Sequence, residues 1–208
     1  MVSSSFFNLD PEKQQRIINA AMSEFSKKGY KLASTNEIVK EASIGKGRLF
    51  HYFNSKKEMY FFLLEQANDI IEKIYAEMDL TVTDFFKRIE QIGVIKYNIY
   101  KQYPDLFPFL KSLAEEADPQ VKEDLEKMKE HIFTTGFERI YENIDFSKFR
   151  DDIDLEKTLN IINWAMLSLG EKQRNSINTI DDYGTEHVKE LEEYFELMKR
   201  CFYKQEEI

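Results

Sequence analysis

One cysteine, four prolines and seven glycines in 208 residues leave little with which to staple or break a chain. Cys201 alone forms no internal disulfide, which fits a reducing cytoplasm. Scarce Gly and Pro, with hardly any strand-like alternation, point to an all-α protein. No apolar run approaches the length of a membrane span, and the longest core-like cluster, Tyr60 to Leu64, is brief. Ser3 to Phe7 is too short an apolar stretch, and lacks the basic flank, for a secretory signal, so none is expected. The three histidines have Arg48, Met128 and Gly184 three positions before them, so the Glu-x-x-His pair of a di-iron bundle is missing. Clustered Cys/His, a P-loop and G-x-S-x-G are missing too. Catalysis, a metal and a cofactor are therefore not expected.

Charge is present in quantity but unevenly. The net charge of −9 argues against a polyanion as partner until the chain is divided. Residues 1 to 65 hold 10 basic and 7 acidic residues, a balance of +3; residues 66 to 208 hold 19 and 31, a balance of −12. A mildly basic N-terminal part on an acidic remainder can orient a protein on a polyanion.

Local signals predict about nine helices. Asp10 as N-cap, Pro11 at N1 and Gly29 as stop frame a first helix to about Lys28, with Ile17, Ile18, Ala21, Met22 and Phe25 along one stripe. Ser34 and Glu37 form a capping-box pattern for a second helix, and Ser55 and Glu58 one for a fourth that runs to about Met78. Between them a third helix spans about Lys46 to Phe53, with Leu49 and Phe53 pointing inward. Further helical patterns occupy 83–102, 104–116, 119–143, 155–174 and 185–203. Asp145 to Asp154 and Asn175 to Gly184 read as loops. The expected division is residues 1–54 and 55–208.

Residues 34 to 56, STNEIVKEASIGKGRLFHYFNSK, carry the most information. Two short helices meet at a tight turn, and the second is expected to expose Lys46, Gly47, Arg48, Phe50, His51 and Tyr52. A short helix with a cationic and aromatic face, braced by a crossing helix, suits a DNA major groove. Arg48 can bridge guanine O6 and N7 or contact a phosphate, and the sequence does not choose. Lys46 suits a phosphate or groove edge, and Gly47 permits close backbone approach. His51 and Tyr52 can donate to phosphates, and Lys56 can reach a flanking one. Ser34 and Thr35 place hydroxyls at a helix N-terminus, whether as caps, as an anion site or as both.

The last two helices carry regular apolar seams. Leu155, Leu159, Ile162, Met166 and Leu169 step by 4 and 3, as do Val188, Leu191, Phe195, Met198 and Phe202. Such seams suit half of a four-helix bundle that a twofold copy completes. The alternative is that both stripes face their own core. Aromatic residues crowd the C-terminal part. Most are core by spacing, and Phe62, Tyr97, Tyr100, Phe133, Phe137 and Trp164 are candidates to line an apolar ligand pocket.

Residues 10 to 65 resemble the helix-turn-helix domain of TetR-type bacterial transcriptional regulators. The likeness rests on Phe25 and Gly29 at the end of the first helix, Ser34-Thr35, Ile38, the GKGRLFHYF of 45 to 53 and the SKKEM of 55 to 59. The resemblance implies a homodimer with an N-terminal DNA-binding head and a C-terminal body that dimerises and binds an effector. It implies repression of an operator, relieved by a small apolar or amphipathic molecule. Four positions depart from the pattern. Ser43 stands where the turn commonly has Gly, and Gly45 where a hydroxyl cap is common. Phe50 stands where Tyr is frequent, and Arg48 where a small polar residue is frequent.

Overall fold

The computed structural model describes residues 2–126, 139–176 and 185–207. These form α-helices and two 3-10 turns, with no strand among the described residues. In chain order the helices are α1 (Ser4–Phe7), α2 (Pro11–Leu32), α3 (Thr35–Glu41), α4 (Lys46–Tyr52), α5 (Lys56–Glu77), α6 (Phe85–Gln102), α7 (Leu106–Glu115), α8 (Leu155–Ser176) and α9 (Thr185–Phe202). The all-α expectation holds. The short α1 was not anticipated. Most of the helix expected at 119–143, and most of the loop at 175–184, lie outside the described residues.

The chain forms two compact units, Met1–Met78 with Val94–Ile140, and Asp79–Gly93 with Tyr141–Ile208. The division expected after residue 54 is not where the chain divides. The reason is packing: α7 lies along α2, and Tyr60, Leu63 and Leu64 of α5 share one core with Phe25 of α2 and Phe109 and Leu113 of α7.

In the first unit, the Asp10 carboxylate accepts from the Glu12 N–H at 3.0 Å, and Pro11 occupies the first turn. Ile17, Ile18, Ala21, Met22 and Phe25 are all buried, as their spacing requires. The helix breaks where the sequence predicts a stop, at Gly29, whose φ of 65° and ψ of 176° are non-helical. Two side chains from elsewhere satisfy the broken backbone. Glu116 Oε2 accepts from Tyr30 N at 2.6 Å. Lys56 Nζ donates to the carbonyls of Tyr30 (2.7 Å), Lys31 and Ala33 (both 3.2 Å). A cation there also opposes the negative end of the helix dipole.

The second unit has its own core of Phe85, Phe86, Phe149, Ile162, Phe195, Met198 and Tyr203. The stretch expected as a plain loop at 145–154 contributes to it. A 3-10 turn at Phe146–Lys148 delivers Phe149 inward, with its ring 4.9 Å from that of Tyr203. Arg150 N donates to Phe202 O and Lys204 N to Lys148 O, both at 2.9 Å, so this segment pins the C-terminal end. The buried Arg88 donates to the carbonyls of Val82 (2.7 Å) and Glu142 (3.3 Å). Asp84 pairs with Lys148 at 3.1 Å. Partial burial pushes the Asp84 carboxyl up, but the Lys87 N–H and the Lys148 ammonium outweigh it and hold the carboxyl below its ordinary range.

The two apolar seams face this core. Ile162, Leu169, Phe195 and Met198 are buried, and Leu159, Met166, Leu191 and Phe202 pack partly against the same cluster. Of that set, only Val188 is exposed. The expectation that these stripes form an intermolecular seam is corrected: the regular 3–4 spacing marks the strip that covers its own unit. Other apolar residues remain outside, namely Ile161, Trp164 and Leu167 on α8 and Tyr194 and Leu197 on α9. No helix among the described residues is long and apolar enough to cross a membrane.

Candidate nucleic-acid interface

α3 ends in hydrogen bonds that close a tight reversal. Ser43 N donates to Lys40 O at 3.2 Å, and Ile44 N to Val39 O at 3.0 Å. This is the Schellman pairing, which needs a left-handed residue just past the helix. Ser43 takes that role with φ of 54°, at a cost of about 1 kcal/mol relative to glycine. Arg16 of α2 braces the turn, donating through Nε to Ala42 O at 2.9 Å.

Ser34 departs from the expected capping box. Its side chain makes no cap hydrogen bond to α3. Its N–H instead donates to Glu24 Oε1 of α2 at 2.9 Å. The hydroxyls of Ser34 and Thr35 sit half-exposed at the start of α3. The Ser55 cap does form, accepting from Glu58 N at 3.1 Å.

α4 begins at Gly45, which offers no side-chain cap. Leu49, Tyr52 and the following Phe53 are buried, while Lys46, Gly47, Arg48, Phe50 and His51 are exposed. At about 100° per residue, Gly47 lies nearly opposite the buried arc, with Phe50 and His51 beside it. A Cβ built at Gly47 meets nothing within 4 Å. The glycine is therefore not demanded by packing inside the chain. Lys46 and Arg48 enter no ion pair among the described residues.

Two expected contact residues are elsewhere. Tyr52 is only 6% exposed. Three residues after Leu49, it falls on the same inward stripe, and its ring packs 5.9 Å from that of Phe6. Lys56 is engaged with the end of α2, as described above, and its ammonium lies 4.8 Å from the Tyr30 ring.

The pocket candidates separate too. Phe62 is buried beside Phe53, with centroids 5.4 Å apart, in the packing beneath α4. Trp164 is 67% exposed and lines no core. Tyr97 and Tyr100 are half-buried on α6. Phe133 and Phe137 lie outside the described residues. The supports that sequence inspection missed are Arg16, Glu24, Glu116 and the N-terminal Ser3 and Phe6. All act across sequence separations that no local motif reports.

A core shared by the long α2 and the short α3 and α4, a Schellman turn and an exposed cationic helix define a helix-turn-helix arrangement. Residues 17–61 match the model of the tetR family of bacterial regulatory proteins. Over that segment the chain is similar to the TetR family. It is 40% identical over 67 residues to the uncharacterized HTH-type transcriptional regulator YuxN of Bacillus subtilis, covering 32% of this chain and 22% of that protein. It is 29% identical over 118 residues to YdgC of the same organism, covering 55% and 60%. The matched segments thus span about a fifth of the first relative and three-fifths of the second. The fold is shared along nearly the whole chain with a TetR family transcriptional regulator from Chloroflexus aurantiacus. That structure matches with a TM-score of 0.71 at 19% identity, over 99% of this chain and 100% of the other.

Proposed function

We propose that this protein is a sequence-specific DNA-binding transcriptional regulator that works as a homodimer. The observation that carries the proposal is the outward face of α4. Lys46, Arg48, Phe50 and His51 are exposed around a glycine whose missing side chain leaves room for something outside the chain. Arg48 reads a base edge or holds a phosphate, and Lys46 and His51 contact the backbone. Ser34 and Thr35 offer hydroxyls to a neighbouring phosphate. Two such heads about one DNA turn apart, roughly 34 Å, engage a palindromic operator.

The second copy is proposed to dock on the apolar residues that α8 and α9 leave exposed, Ile161, Trp164, Leu167, Tyr194 and Leu197. The regulator is proposed to be a repressor. A small apolar or amphipathic effector releases it by preferring the arrangement that cannot match the operator. Half-buried Tyr97 and Tyr100 remain candidates to touch that effector.

Selection from randomised duplexes by the purified protein tests the proposal. A single enriched palindrome, bound with steep salt dependence, is the expected result. No enrichment over random DNA would reject the regulator assignment. On the enriched site, Arg48→Ala should weaken binding about 10- to 100-fold if Arg48 reads a base, with an unchanged thermal midpoint. A gel shift with unaltered affinity and preference would remove Arg48 from the reading set.

A further inference from the structure

α4 is seven residues long, too short to hold a helix or a fixed direction by itself. Its first turn is held by the Schellman turn before it, and Leu49 is buried against the head. The last turn has a different support. Carbonyls at a helix C-terminus lack intrahelical donors. Here the Tyr52 carbonyl accepts from Ser3 N at 3.0 Å. Just beyond, the ring of Phe6 is fully buried, with its centroid 5.0 Å from Phe53, 5.2 Å from Phe62 and 5.9 Å from Tyr52. Phe6 therefore joins the end of α4 to α5 through edge-on and tilted ring contacts.

The N-terminal segment is itself fixed at several points. Ser3 Oγ accepts from Ser5 N at 3.3 Å, and Phe6 N donates to Ser3 O at 2.9 Å. Gln14 Nε2 of α2 donates to Leu9 O at 2.8 Å and to Phe7 O at 3.3 Å. The neighbouring Phe7, by contrast, is 56% exposed. The segment thus spans from α2 to the C-terminal end of α4 and sets one ring deep between α4 and α5.

We infer that residues 3–9 are a brace that fixes the direction of α4, with Phe6 as the positioning residue for sequence-specific binding. The inference rests on the proposed DNA-reading role of α4. Phe6 touches no base or phosphate in this scheme. It acts through Tyr52 and Phe53, so its loss should spoil register-dependent contacts more than the charge attraction common to any duplex.

The test uses the full chain and four proteins: wild type, Phe6→Ala, Phe6→Leu and Phe7→Ala. Fluorescence anisotropy gives affinities for the selected operator and for a random duplex of equal length. Amide exchange of residues 49–53 is followed without DNA. Phe6→Ala should lose about tenfold in operator affinity, about 1.4 kcal/mol, with random-duplex affinity within twofold and faster exchange at 49–53. Phe6→Leu should recover most of the operator affinity. Phe7→Ala, which removes a ring that is 56% exposed and meets Phe6 and Phe62 only edge-on at 5.7 and 6.1 Å, should lose less than Phe6→Ala. Equal losses on operator and random DNA, or exchange at 49–53 that Phe6→Ala does not change, would overturn the brace. A wild type without operator preference would instead overturn the DNA-reading role of α4, and the exchange data would still decide whether the segment holds the helix.

Discussion

α4 turns Lys46, Gly47, Arg48, Phe50 and His51 to solvent, whereas α8 and α9 turn Ile161, Trp164, Leu167, Tyr194 and Leu197 outward. Both are outward helix faces, but they cost differently in water. Exposed cations are well hydrated, so the α4 face is stable alone and gains only when a polyanion displaces its counterions. Each large apolar side chain left outside forgoes about 1.5–3 kcal/mol of burial. Several of them along two adjacent helices are an unusual surface for a chain that acts singly. The contrast teaches that one face is suited to a charged partner and the other to an apolar one such as a second copy.

The largest expected effect comes from spoiling the apolar face. Leu167 is 70% exposed, so Leu167→Glu should change the thermal stability of an isolated chain by no more than about 0.5 kcal/mol. If the face joins two copies, the variant sediments as a monomer. Operator affinity then falls by roughly two orders of magnitude or more, because two linked heads bind with an effective-concentration advantage of that size. A variant that remains dimeric and binds as wild type would move the interface off α8 and erase the comparison.

The same two faces explain what could be read from the chain alone. Helix positions, the Gly29 stop, the Asp10 and Ser55 caps and the exposed Lys46–His51 set follow from periods and caps spanning a few residues. Tyr52 defeated that approach because polarity suggested an outward role, while its offset of three from Leu49 puts it on the inward stripe. Lys56 did so because its partners, the carbonyls of Tyr30, Lys31 and Ala33, belong to a helix end more than twenty residues away. On α8 and α9 the error ran the other way. The regular seam was visible, but a 3–4 period reports that a strip is buried, not which chain buries it. The apolar residues outside that strip had no period to reveal them.

A sharper test of the α4 face uses stability and binding with opposite signs. Gly47 sits in a helix with open space where its Cβ would be. Gly47→Ala should therefore raise the unfolding free energy by up to about 1 kcal/mol through helix propensity. If α4 lies close against DNA, the same methyl should lower operator affinity, by about tenfold for a misfit of about 1.4 kcal/mol. Urea unfolding and anisotropy on one protein preparation measure both quantities. A gain in stability with unchanged binding would mean that the backbone at 47 does not approach the duplex.

The smallest effect isolates the turn from the face it supports. Ser43 holds the left-handed position of the Schellman pairing at φ of 54°, and its side chain is exposed. Ser43→Gly removes the Cβ strain but gives the unfolded chain more freedom, two terms that partly oppose. The strain is the larger at a positive φ, so the net expectation is a gain of up to about 1 kcal/mol in denaturant unfolding. The hydrogen bonds from Ser43 N and Ile44 N are backbone bonds and survive the change. Operator affinity should then stay within twofold, because the turn only holds the direction of α4 and that direction is preserved. A drop in affinity with the stability gain would show that the Ser43 hydroxyl itself meets the DNA, and would extend the polar face back from α4 into the turn.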